Sequence, residues 1–168
     1  MATVRPAEVG DAAAIAHVHV AAWQWAYRGI MPDDLLDGLD PARRLPMWEA
    51  TIRSEQQHVF VAEIDGEIVG FSSVGMHTDD DLGELYAIYL LEPAIGRGLG
   101  AELMVAAEHA LVAMGCETAV LWVAADNQAT RRFYEAGGWI HDGSEDTYDL
   151  PGTGIPVVRY RKDLSTVV

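Results

Sequence analysis

The chain has 168 residues, half of them hydrophobic and 22% charged, and its 26 acidic side chains against 11 Lys and Arg give a formal net charge of −15. Such a length supports one domain with a sizeable core, taken here as residues 1–168, and the composition is that of a soluble globular protein. The charge repels nucleic acid and favours cationic small molecules or basic peptides, and no apolar run approaches the roughly 20 residues that span a bilayer.

Val4 opens a short strand. Asp11 reads as an N-cap, and Ile15, Val18 and Ala22 share one helical face, which predicts a helix over residues 11–27. Gly29 and Pro32 break it. Asp40-Pro41 starts a second helix, to Ser54, that turns Leu45, Trp48 and Ile52 inward. The period then changes to two. Residues 59–64 and 67–76 read as strands joined by a tight Asp65-Gly66 turn. Asp79-Asp80-Asp81 reads as a solvated loop. Residues 82–91 form a mostly apolar strand, expected at the centre of the sheet. A helix over residues 98–114 comes next, with Leu99, Leu103, Ala106 and Ala110 inward and Gly115 closing it. After it come a strand at 117–124, a helix at 127–136, a strand from Trp139 onward and a last strand at 157–162. The order β-α-α-β-β-β-α-β-α-β-β defines an α+β fold: a mixed, mostly antiparallel central sheet flanked by helices.

The sharpest feature is the run Ile95-Gly96-Arg97-Gly98-Leu99-Gly100-Ala101 between the apolar strand and the long helix. Glycines let backbone amides approach a ligand closely. The helix N-terminus adds partial positive charge, so the turn is suited to a pyrophosphate. Arg97 adds a charge-assisted contact. A P-loop would need Lys-Ser or Lys-Thr after the last glycine, where Ala101-Glu102 stands. A dinucleotide fingerprint would need a glycine where Leu103 stands and would sit on a first strand, although Asp126 does lie near the end of the next one.

The glycine run resembles the cofactor turn of the GNAT superfamily of N-acetyltransferases, whose pattern is Gln/Arg-x-x-Gly-x-Gly/Ala; Ile95 departs at the first position. The segment from Asn127 to Trp139 resembles a second family motif, Asn-x-x-Ala-x-x-Phe-Tyr-x-x-x-Gly-Phe, with Phe133-Tyr134 and Gly138 in place, Thr130 replacing the small Ala and Trp139 replacing Phe. The strand from Glu84 to Leu90 matches too, so the resemblance runs from Val4 to Lys162. The Trp23-x-x-Ala26-Tyr27-x-Gly29-Ile30-x-Pro32 segment resembles a subgroup of the family.

The resemblance implies an acyl-CoA N-acyltransferase fold and direct acetyl transfer from acetyl-CoA, as co-substrate, to a primary amine of a small molecule or peptide. Small cationic amines are the expected acceptors. An amine of pKa near ~10 is protonated at neutral pH and must lose a proton before it attacks. Glu84 matches the family's strand glutamate base, acting directly or through water. Tyr134 matches the general acid that protonates the leaving thiolate. Ile88 and Leu90 would pair their backbone with the pantetheine arm, Ile95 to Ala101 would hold the pyrophosphate, and Asn127 would contact the pantetheine or cap its helix. Trp23, Trp25, Tyr27 and Tyr148 are the expected acceptor walls, aromatic faces suiting a cation or a ring. The alternative is a non-catalytic acyl-CoA sensor, with Ile95 as the feature that favours it.

No metal is expected. His17 and His19 lie two apart on a helix and do not face each other. The single Cys116 forms no intramolecular disulfide and reads as structural. With no signal-like N-terminus, the chain is expected in the cytoplasm, as monomer or homodimer.

Overall fold

The computed structural model describes residues 1–77 and 82–167; the Asp79-Asp80-Asp81 run lies outside the described residues. Seven strands form one sheet: β1 (Ala2–Pro6), β2 (Gln57–Ile64), β3 (Glu67–Met76), β4 (Leu82–Leu90), β5 (Thr118–Ala124), β6 (Ile140–Leu150) and β7 (Thr153–Asp163). Their order is β1-β2-β3-β4-β5-β7-β6, and β4–β5 is the parallel pair in an otherwise antiparallel sheet. The apolar strand β4 is therefore central. Five α-helices accompany it: α1 (Ala12–Ala26), α2 (Asp33–Asp37), α3 (Pro41–Arg53), α4 (Leu99–Ala113) and α5 (Gln128–Ala136). Among the described residues, no helix is long and apolar enough to cross a membrane.

Local chemistry explains most boundaries. Asp65 and Gly66 both take positive φ (51° and 85°), the conformation an Asp-Gly hairpin turn requires. The Asp40 carboxylate accepts from the Ala42 amide at 3.0 Å, and Pro41 begins α3. Asn127 caps α5 by accepting from the Thr130 amide at 3.3 Å. The short helix α2 was not expected from the sequence. It forms because Pro32 precedes two aspartates in its first turn and Leu36 is fully buried beneath it.

The helices cover both faces. On one, Ile15, Ala16 and Val18 of α1 pack with Trp48 of α3 against Val61 and Phe71. On the other, Leu99 and Leu103 of α4 pack against Ala62, Ile88 and Leu90. Tyr134 and Trp139 join Met104, Ala107, Leu111, Val123 and Tyr160 in the main cluster. The inward stripe of α4 thus runs through Leu99, Leu103, Met104, Ala107 and Leu111, while Ala106 and Ala110 are only half-buried on its flank. The last strand also starts earlier than expected, at Thr153, because β6 and β7 form a long hairpin.

Two features of β4 shape the centre of the sheet. Its pairing with β5 stops at Glu84↔Val120, although both strands continue, so the sheet splays open there. Its pairing with β3 slips between Leu85 and Ala87, making Tyr86 a bulge. The bulge resets the side-chain alternation. Leu85 below it and Ile88 and Leu90 above it face the α4 side, and Ala87 and Tyr89 face α1 and α3.

Gly83 shows how tightly β4 and α4 pack. A Cβ there would lie 2.7 Å from Leu111 Cδ2 and 3.3 Å from Cys116 Sγ, both buried. Gly83→Val is expected to lose about 1–3 kcal/mol through overpacking. A urea titration should show a lower midpoint at unchanged slope; an unmoved midpoint would refute the contact.

Candidate active site

Glu84 lies where the splay begins. In register it faces Gly75, whose missing side chain would touch Tyr86 and Gln57, so Glu84 points to the α1–α3 side with them. Strict alternation along the strand would put Glu84, Tyr86, Ile88 and Leu90 on one face, and the structure corrects this: the extra residue at Tyr86 moves Ile88 and Leu90 to the side opposite Glu84. The Glu84 side chain is 17% exposed, with Oε1 3.9 Å from His77 Nε2. Burial raises its pKa above the ordinary carboxylate value, and His77 opposes that rise in part.

A cavity of about 550 Å³ opens on the same side. Trp23 of α1 and Tyr27 at its C-cap, Arg44 and Trp48 of α3, and Tyr148 of β6 wall it, with Tyr86, Ala87 and Tyr89 as floor. Trp23 meets Tyr27 edge-on at 5.2 Å and Tyr148 at 6.5 Å. Three of the four expected acceptor residues, Trp23, Tyr27 and Tyr148, come together here.

Trp25 does not. It is 51% exposed and lines a second cavity of about 210 Å³ with Ile88, Leu90, Ile95, Gly100 and Phe133. Helix geometry is the reason: residues two apart point about 200° away from each other, whereas Trp23 and Tyr27 lie about 40° apart. Tyr89 borders both cavities.

The glycine turn sits at the mouth of the second cavity. Gly96 and Gly98 have φ of 87° and 82°, and a Cβ at either would meet nothing. No side chain caps the first turn of α4, so its leading amides remain free to donate. Arg97 and Ala101 are exposed beside them. Gly100 has a different purpose. A Cβ there would come within 3.2 Å of the Phe133 ring, so its absence lets α4 and α5 approach. A short 3₁₀ turn over Glu92–Ala94, which ends at Ile95, leads into the run. Beyond Glu84, the edge of β4 toward β5 has no strand partner and can accept an extended, peptide-like chain.

Between the cavities lies a cluster of phenols. Tyr27 and Tyr89 share a hydrogen bond at 3.4 Å, and the Asn127 side chain lies near the Tyr27 hydroxyl. Tyr134 is almost fully buried against Trp139 and Tyr160, with Tyr27 nearby. Burial raises the pKa of all three phenols, with Tyr134 and Tyr89 far above the ordinary value, so they stay protonated. Tyr134 lines neither cavity, and Asn127 serves as both cap and Tyr27 neighbour.

Sequence reasoning missed His19, Arg44 and Tyr89. His19 sits in a cage of Trp23, Trp48, Phe71 and Tyr89 rings, and its Nδ1 accepts from Trp48 Nε1 at 3.4 Å. Arg44 was legible: it lies one turn before Trp48, a residue expected to face inward.

The match to known proteins agrees with this geometry. The model of the acetyltransferase (GNAT) family matches residues 18–139. Over 162 residues, 94% of this chain and 91% of the relative, the chain is 33% identical to the uncharacterized N-acetyltransferase YuaI of Bacillus subtilis. The PaiA N-acetyltransferase of Thermoplasma acidophilum, solved with coenzyme A, superposes with a TM-score of 0.74 at 18% identity, covering 97% of this chain and 99% of that one. The Salmonella typhimurium protein yncA, solved with its cofactor acetyl-CoA, gives 0.76 at 21% identity, covering 100% and 96%. Both share the fold. The splayed mixed sheet is that of an acyltransferase, and this chain belongs to the GNAT acetyltransferase family.

Proposed function

We propose that the protein transfers the acetyl group of acetyl-CoA directly to a primary amine of a small molecule or peptide. The observation that carries the reading is the splay of β4 from β5, with a cavity on either side of Tyr89 and the open glycine turn at the end of one of them. The amides of residues 96–101 and Arg97 bind the donor's pyrophosphate. The free edge of β4 at Ile88 and Leu90 receives the pantetheine arm. Trp25, Ile95 and Phe133 shelter that arm rather than the acceptor.

The acceptor enters from the larger cavity. Glu84, through a water, takes a proton from the ammonium group. The amine nitrogen then bonds to the thioester carbonyl carbon, the C–S bond breaks, and the proton the nitrogen sheds in becoming an amide returns through solvent to the phenol that protonates sulfur. Tyr134 gives the departing sulfur a proton, and Asn127 and Tyr27 hold the phenol cluster in place. Release of free thiol from acetyl-CoA, measured against panels of amino acids, polyamines, aminoglycosides and short peptides, tests the reading. Acceptor-dependent release is expected. Tight coenzyme A binding by calorimetry without release from any panel member would overturn it.

A further inference from the structure

The larger cavity holds a cation in a strongly acidic protein. Among its described lining residues there is no Asp or Glu, and Arg44 is the sole permanently charged side chain. Acidic residues outnumber Lys and Arg 26 to 11 in the chain. Among the described residues, three of the nine other arginines take carboxylates: Arg5 bonds Asp11 at 2.8 Å, Arg28 bonds Asp33 at 3.2 Å, and Arg159 bonds Asp142 at 2.6 Å. Arg44 has no such partner among the described residues. Instead its guanidinium stacks over the Trp23 ring, 5.6 Å from the centroid. Stacking fixes the plane of the fork and leaves its N–H donors available.

A second donor stands beside it. Trp23 Nε1 is buried and makes no hydrogen bond of good geometry among the described residues, with the Tyr89 hydroxyl as a nearby acceptor. A buried unpaired N–H costs free energy that a ligand acceptor would recover. His19 adds no charge at neutral pH. Burial, then the nearby Arg44, lowers its pKa to about 4. The remaining surface is aromatic and aliphatic, from Tyr86, Trp122, Val123 and Ile155. The cavity's one charged recognition group is therefore positive, on the α3 wall, while Glu84 lies by the splay.

We infer that this cavity takes an acceptor with a carboxylate at one end and an apolar or aromatic body, that is, a free amino acid, whose carboxylate is received by Arg44 and the Trp23 N–H. The inference rests on the amine-acetylation reading, and it narrows the small cationic amines expected from the sequence to those that also carry a carboxylate. A cationic amine with no anion would leave Arg44 facing like charge in a partly desolvated site.

The test compares each amino acid with its own carboxamide, using phenylalanine, leucine and methionine. Binding is read by quenching of tryptophan emission, since Trp23, Trp48 and Trp122 line the cavity. At least one acid should bind about tenfold or more tighter than its amide, the effect of a hydrogen bond to a charged group. Arg44→Gln should remove that preference by weakening the acid alone, and Arg44→Lys should restore part of it. Equal binding of every acid–amide pair, no binding of any, or a preference that survives Arg44→Gln overturns the assignment. The acid–amide comparison uses the unsubstituted protein, so it stands even if a variant folds poorly. Thiol release is scored separately. A carboxylate preference in binding without release would sink acetyl transfer and leave the carboxylate site standing; release without preference would do the reverse.

Discussion

Glu84→Gln is expected to lower kcat/KM for the amine acceptor about a hundredfold, the low end for loss of a general base. Coenzyme A affinity by calorimetry should not change. Wild-type rate should fall as pH drops through the Glu84 pKa, at a higher pH than an ordinary glutamate would set, because burial raises it. The variant should lack that limb. Stability moves the other way. A carboxyl whose folded pKa is raised binds more protons folded than unfolded across the window from its ordinary 4.5 up to the raised value. Wild-type stability therefore falls as pH rises through that window. The glutamine variant escapes this loss, so in urea it should gain on wild type at pH 7 and lose that gain below the ordinary value. A full rate in the variant at every pH would remove Glu84 from the mechanism.

Tyr134→Phe is expected to lower kcat by a similar factor, about a hundredfold, with KM for acetyl-CoA little changed. Departure of a thiolate needs a proton donor that stays protonated in the assay. Burial, followed by the neighbouring Tyr27, holds the Tyr134 phenol in that form. A thioester with a more acidic leaving thiol should react with the variant at close to wild-type rate, because it leaves unassisted. Tyr27 provides the control, since its hydroxyl bonds that of Tyr89 and lies near Asn127 in the same phenol cluster. If Tyr27→Phe shows the large loss and Tyr134→Phe does not, the donor is Tyr27.

The hairpin turn, the glycine run and the α5 cap were legible because each depends on a few adjacent residues with specific backbone chemistry. The Asp65-Gly66 turn needs two positive φ values, and Asn127 needs only the amide three residues on. The face of β4 was not legible. A bulge is set by pairing with β3, and nothing in Glu84-Leu85-Tyr86-Ala87 marks Tyr86 as the extra residue. The split between Trp23 and Trp25 was legible from helical period and overlooked. Arg44 belongs to a third kind: its face could be read from Trp48, but its lack of an acidic partner is a tertiary fact. Net charge pointed toward cationic acceptors because it averages over the surface, whereas the cavity collects the opposite sign.

The break in the sheet has a consequence for how the molecule comes apart. The leaf of β5, β7 and β6 is sewn to the leaf of β1 to β4 by pairing at Leu82, Gly83 and Glu84 with Thr118, Ala119 and Val120. Past that seam the two leaves are joined through helices and side chains, the main core cluster packing Val74 and Leu85 with Leu121, Val123 and Tyr160. On the proposed function, the pantetheine arm of the donor lies in this gap as the missing stitch. Any ligand bound only by the folded state at a hundred times its Kd adds about 2.7 kcal/mol. The resistance of this fold to unfolding then tracks the concentration of its own donor.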